Sequence, residues 1–217
     1  MTPDASALLA LPGTAVARTS LELVEREESS AVANHSVRSY LFARMFADHL
    51  QAKAGVDYDD ELLFLACVLH DIGLSEFANG DLRFEVDGAN AAAEFLTAQG
   101  LPAAGVDAVW EAIALHTSPH IPQHRNVLCR LTASGIGIDV GRRAADYITD
   151  AQAAIIHRAY PRHAAVTTIV DTIVDQARTR PDKAPPGTPA AELLRERTQP
   201  PYTTYLERWA RSGRWGT

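Results

Sequence analysis

Cysteine is scarce in this chain: only Cys67 and Cys129 occur in 217 residues, each inside an apolar run ("LACVLH", "NVLCRL"). Both read as small buried core residues in a reducing compartment, not as a disulfide framework. Long apolar runs are missing too, since none approaches the roughly 20 residues of a membrane span. The opening "MTPDASALLALPGT" lacks the basic n-region of a secretory signal. A soluble, cytoplasmic protein is the expectation. Positive charge is in deficit, with 20 Lys and Arg against 27 Asp and Glu and a formal charge of -7, so no basic surface invites nucleic acid. No stretch alternates polar and apolar residues long enough to build several strands, and no internal repeat or low-complexity tract occurs.

What is present is ordinary globular composition, 47% hydrophobic and 22% charged, in a length suited to one well-filled domain. Helical periodicity predicts an all-α, single-domain bundle. Residues 1–30 read as an N-terminal helical extension, 31–178 as the body, and 179–217 as a Pro-rich connector with a helical tail. The aromatic residues of that tail dock it on the body or on a second subunit. Ser20 reads as the cap of a first helix, with Glu25, Glu27 and Glu28 on its outside, and Asn34 as the cap of a second. Asp59 caps a third helix, ended by Gly73, which delivers His70 and Asp71 in its last turn. Alanine-rich helices follow from about Val86 to Ala98 and from about Ala104 to Thr117. "HTSPHIPQH" reads as a loop, then a helix runs to Gly135, and Asp139 lies in a Gly-flanked break ("GIGIDVG"). Thr149 and Pro161 start two further helices.

Once packing residues are removed, His35, Arg38, His70, Asp71, His116, His120 and Asp139 remain. A lone histidine in an apolar helix is usually satisfied by one hydrogen bond. The adjacent pair His70–Asp71 asks for more, because imidazole nitrogen and carboxylate oxygen both ligate zinc, iron or manganese and two ligands alone hold such an ion weakly. His35, Asp139 and His116 are the candidates to complete the set. Glu85 and Asp87 read either as pocket acids or as acidic residues favouring a helix N-terminus. His49, His124, His157 and His163 fall on polar or irregular stretches and are expected to face solvent.

The order of "NHSVR", "LHDIG" and "GIDV" resembles the HD-domain superfamily of metal-dependent phosphohydrolases and related enzymes. The resemblance implies an all-helical HD domain over the body and a metal held by His35, His70, Asp71 and Asp139. The longer stretches "NHSVRSYLFA", "LHDIGLSEF", "RFEVDGANAAAEFL" and "IALHTS" look like the cyanamide hydratase branch, which adds water to a nitrile to give urea. Leu74 stands where cyclic-dinucleotide phosphodiesterases of the superfamily carry lysine. "DGANAAAEF" lacks the histidine of dinuclear members. The resemblance therefore implies one divalent ion, zinc first, with iron or manganese as alternatives. His116 is expected to transfer protons or to ligate metal or water, Thr117 to donate its hydroxyl, and His120 to line the pocket. Arg38 pairs with a carboxylate behind the ligands. The rival is hydrolysis of a nucleotide or other small phosphate ester, with Arg38 clamping the phosphate. The expected partner is a small-molecule substrate, with no nucleic acid or membrane, and a homo-oligomer is possible.

Overall fold

The computed structural model describes residues 4–142 and 145–216. The chain runs through α1 (Ala5–Leu8), α2 (Ala15–Glu27), α3 (Ser30–His49) and α4 (Asp60–Val68), then through short 3-10 turns at Ile72–Leu74 and Glu76–Ala78. It continues as α5 (Phe84–Ala98), α6 (Ala103–Leu115), α7 (Ile121–Arg125), α8 (Val127–Asp139) and α9 (Asp150–Ala159). The last elements are α10 (Ala165–Thr179), a 3-10 turn at Pro181–Lys183, α11 (Pro189–Thr198) and α12 (Tyr205–Ser212). Among the described residues there is no strand, and no helix is long and apolar enough to cross a membrane. The all-helical expectation holds.

Side-chain caps set most starts. Thr14, Ser29, Asp59, Asn126 and Thr149 each accept a first-turn backbone N–H of the helix that follows, which removes orphan donors at the helix N-terminus. Two expected caps are corrected. Ser20 is buried inside α2, and Asn34 lies inside α3, where its amide donates to the carbonyl of Pro161 at 2.9 Å. Because α3 starts at Ser30, His35 stands in its second turn instead of at a frayed end. Pro161 does not start α10, which begins at Ala165.

The "GIGIDVG" segment is no break: α8 runs through Gly135 and Gly137 and ends on Asp139. The glycines serve packing. A Cβ built on Gly135 would lie 2.1 Å from the Ser39 carbonyl oxygen and 2.7 Å from the Ala43 Cβ, so α3 and α8 touch backbone to backbone there. The main core surrounds this contact, with Tyr40, Leu41 and Phe42 of α3 against Leu63, Phe64 and Leu65 of α4 and Leu131 and Ile138 of α8. Each fully buried side chain of this size contributes roughly 1.5–3 kcal/mol.

A second core forms on the α10 stripe of Val166, Val170 and Val174, covered by Leu193 of α11 and Ala210 of α12. The C-terminal tail thus docks on the body of its own chain. Trp215 stacks on Phe42 with ring centroids 5.8 Å apart. His157, expected in solvent, lies edge-on to both Phe42 and Trp215, and burial pushes its pKa down to about 4.

Replacing Gly135 by Ala should push α3 and α8 apart. We expect a loss of about 1–3 kcal/mol or more, the usual range for overpacking, read as a lower Tm. An unchanged Tm would contradict the close contact.

Candidate metal centre

Three helices carry imidazoles to one buried point. His35 comes from α3, His70 from the turn after α4, and His116 from the C-terminal end of α6. The α4 helix ends at Val68 with Leu69 as its cap, so His70 and Asp71 leave the helix axis and need not point about 100° apart as they would inside it. All three histidines and Asp71 are buried.

Each ring is held by Nδ1. In His35 it pairs with Oδ2 of Asp139 at 2.6 Å, in His70 with the Cys67 carbonyl at 2.7 Å, and in His116 with the Ile113 carbonyl at 2.7 Å. A carbonyl or carboxylate at Nδ1 places a proton there and turns Nε2 toward the centre, where Asp71 raises the pKa of His70 against its burial. The three Nε2 atoms converge on Asp71: those of His35 and His70 lie 3.8 and 3.2 Å from its Oδ2, and that of His116 lies 3.9 Å from its Oδ1. The rings stand edge-on, with centroids 5.1 Å apart for His35–His70 and 5.0 Å for His70–His116.

The group fits a cation. Ligand atoms of His35, His70 and Asp71 lie within 4.8 Å of one another, close to the roughly 4.4 Å that two bonds of about 2.2 Å reach across one ion, so small side-chain shifts bring all three onto it. His70 Nε2 is buried with no hydrogen-bond partner among the described residues, an arrangement that is costly unless something else occupies it. Asp71 is held as a carboxylate well below its usual range by His70, His35 and His116, which outweigh burial. His116 is lowered to about 4 by burial and by His70, so it is a neutral acceptor at pH 7.

Asp139 is not one of the three. It stands behind His35, and Nε and Nη2 of Arg38 donate to its Oδ1 and Oδ2 at 2.7 and 2.8 Å. Nη1 of Arg162 donates to Oδ1 at 3.1 Å. Arg38, together with His35, holds Asp139 well below the usual carboxylate range against its burial. Arg38 also donates from Nη1 to the carbonyls of Tyr160 and Pro161. With its guanidinium so engaged and fully buried, Arg38 is not available to clamp a substrate phosphate. A carboxylate on the far nitrogen of a metal-binding histidine fixes its tautomer and raises its basicity.

A chamber of about 80 Å³ opens beside the group, the room of two to three waters at about 30 Å³ each. Thr117 lines it, but its hydroxyl donates to Glu85, which also accepts from Arg83 Nη2 at 2.7 Å. The Thr117 proton is committed, so the expected donor role is corrected: this side chain offers lone pairs. His120 is exposed and lines a neighbouring cavity, not the chamber. Glu85 is a buried anchor of Thr117. Asp87 accepts from buried Lys183 at 2.5 Å, which ties α5 to the turn after α10.

Two participants escaped sequence reasoning. Arg162 sits in "YPRHAA", where nothing in the pattern separates it from a surface arginine. Glu28, expected outside, caps the C-terminal end of α2 in extended conformation, and both of its carboxylate oxygens are buried without a hydrogen-bond partner among the described residues. Burial, then the charge of Asp71, raises its pKa well above the usual value.

The chain matches the HD domain family over residues 32–177, about two thirds of its length, and it belongs to that family. It is an HD-domain, metal-dependent enzyme of hydrolase type, with a buried His35, His70, Asp71 group as its metal site. No curated protein matches the chain in a sequence search.

Two outcomes follow. Elemental analysis should find His70→Ala and Asp71→Ala without metal, while Asp139→Asn keeps metal with affinity reduced about 10–100-fold; complete loss in Asp139→Asn would make Asp139 a direct ligand. In chelator-treated protein, raised-pKa Glu28 holds a proton in the folded state that the unfolded chain releases. Its contribution is therefore full below the ordinary carboxylate pKa and is lost as pH rises through the folded value. Glu28→Gln should gain Tm over wild type as pH goes from 4 to 8; a constant difference would contradict this.

Proposed function

We propose that the protein hydrolyses a small phosphate ester with a water activated at the His35, His70, Asp71 group. The observation that carries the reading is the convergence of three Nε2 atoms and one carboxylate on a single buried point, in a chain of the HD family. When bound, a divalent ion supplies a water whose pKa falls from about 15.7 toward about 7. Zinc suits the nitrogen and oxygen donors, and iron or manganese accept the same set.

His116 is the proton carrier. Neutral, with its Nδ1–H fixed on Ile113, it presents Nε2 to take the proton of the attacking water and then returns it to the leaving oxygen. Asp71 and the Asp139-held His35 keep the reacting centre in place. Arg38, spent on Asp139, does not meet the ester's charge.

A second reading, hydration of a small nitrile such as cyanamide to urea, is favoured by the chamber itself. Its volume is about 80 Å³ and its walls include Phe84, Ile136, Val140, Ile169 and Ile173, which suits a small neutral molecule better than a nucleotide. In that case the proton taken by His116 goes to the nitrile nitrogen, since Thr117 has none to give.

Protein loaded with zinc, iron(II) or manganese(II) should release phosphate from a panel of small phosphomonoesters and nucleotides. His116→Ala should keep its metal and lose about 10²–10⁴-fold in rate. Urea from cyanamide without phosphate release would replace the first reading by the second, and neither product with any metal would contradict both.

A further inference from the structure

We infer that the mouth of the chamber is an anion-binding subsite, with Arg142 as its specificity-determining residue, so that the substrate carries a carboxylate or phosphate in addition to its reacting group. The inference rests on reading the inner chamber as the place of reaction.

The helix that ends on Asp139 also places Arg142. Beyond Asp139, Gly141 adopts φ +76°. Its N–H donates to the Ile138 carbonyl at 3.1 Å, and the N–H of Arg142 donates to the Gly137 carbonyl at 2.9 Å. This pair of bonds closes α8 as a Schellman motif, and a left-handed residue there favours glycine. The backbone of Arg142 is thereby fixed three residues from the carboxylate that grips His35.

Arg142 faces three spaces at once: the inner chamber, a groove of about 750 Å³ outside it, and the side cavity of about 220 Å³ that holds His120. Its guanidinium stands 5.3 Å from the Trp209 ring centroid and has no hydrogen bond or ion pair to another described side chain. The other arginines of the groove are engaged. Arg195 bonds both oxygens of Glu192, and Arg208 reaches Glu196 at 2.7 Å, so these acids and bases cancel in pairs. Among the described residues one uncompensated cation remains at the junction, with the planar fork that suits a carboxylate or phosphate.

The groove is built by the tail, outside the region matched to the family. Residues Pro189, Tyr205 and Trp209 line both chamber and groove, and all lie beyond residue 177, where the match ends. The tail is held firmly there. Thr204 and Glu207 form a reciprocal cap on α12, Glu207 accepts from Arg197 at 3.1 Å, and a Cβ on Gly213 would lie 2.9 Å from the Gly141 Cα. A substrate that fits has its reacting group at Asp71, a short apolar stem along Ile173 and Leu193, and its anion at Arg142. Phosphate and carboxylate share the chemistry that Arg142 recognises.

The test compares pentanoate, the non-hydrolysable butylphosphonate and the neutral 1-pentanol as calorimetric probes on the 217-residue protein. We expect both anions to bind about tenfold tighter than the alcohol. Arg142→Met should remove the preference, Arg142→Lys should keep part of it, and His70→Ala, which lacks the metal, should retain it. Circular dichroism checks that each variant is folded. Tighter butylphosphonate or tighter pentanoate tells which anion the subsite is made for. An unchanged preference in Arg142→Met would overturn the inference, as would no preference in wild type. Loss of the preference in His70→Ala but not in Arg142→Met would place the anion on the metal and overturn it while upholding the metal site. A wild type that takes up no zinc, iron(II) or manganese(II) yet still shows Arg142-dependent binding would uphold the subsite and sink the hydrolase reading.

Discussion

The buried carboxylate of Asp139 is the interaction on which the rest depends. It joins α3 to α8 by accepting from His35, Arg38 and Arg162 within 3.1 Å. Removing one partner of such a cluster leaves an uncompensated buried charge, which is far more costly than any single bond in it. The cluster closes only because Gly135 lets the two helix backbones meet next to it. Packing and chemistry are the same constraint here. The glycine sets the helix distance, the distance sets the Asp139–His35 bond, and that bond aims Nε2 of His35 at Asp71.

Much of this was legible in the sequence because it follows from local pattern. The helical period gave the all-α fold, Asp59 and Thr149 announced two helix starts, and the His70–Asp71 pair at the end of an apolar run marked the site. Other features depend on contacts that no local pattern carries. The "GIGIDVG" segment reads as a turn by composition, yet it is helical because α3 lies against it, and tertiary contact overrides the weak propensity of glycine. Asp139 looked like a ligand because its residue type and order fit. Its placement behind His35 comes from Arg38 and Arg162, 101 and 23 residues away in sequence. Glu28 belongs to an acidic run that reads as a solvated face, and only the turn between α2 and α3 takes its carboxyl inside.

Two parts of the chain divide the work. The body matched to the family supplies the metal group and, in the proposed reaction, the proton carrier, through helices α3, α4, α6 and α8. The tail supplies α11 and α12, which wall the chamber and shape the groove at Arg142. The first part fixes what is done to the reacting atom, and the second fixes what reaches it. This division explains how a small apolar chamber and a charged mouth coexist: the reacting group sheds water in one while a charged end stays solvated in the other.

The central claim is that the imidazole nitrogens of His35 and His70 and the carboxylate of Asp71 define one metal position. X-ray absorption at the edge of a bound zinc, iron or manganese ion tests it most directly. The account predicts a shell of nitrogen and oxygen at about 2.0–2.2 Å with the outer-shell signature of at least two imidazoles. A sulfur shell at about 2.3 Å, placing the ion at a cysteine, or a shell of oxygen alone, would contradict it.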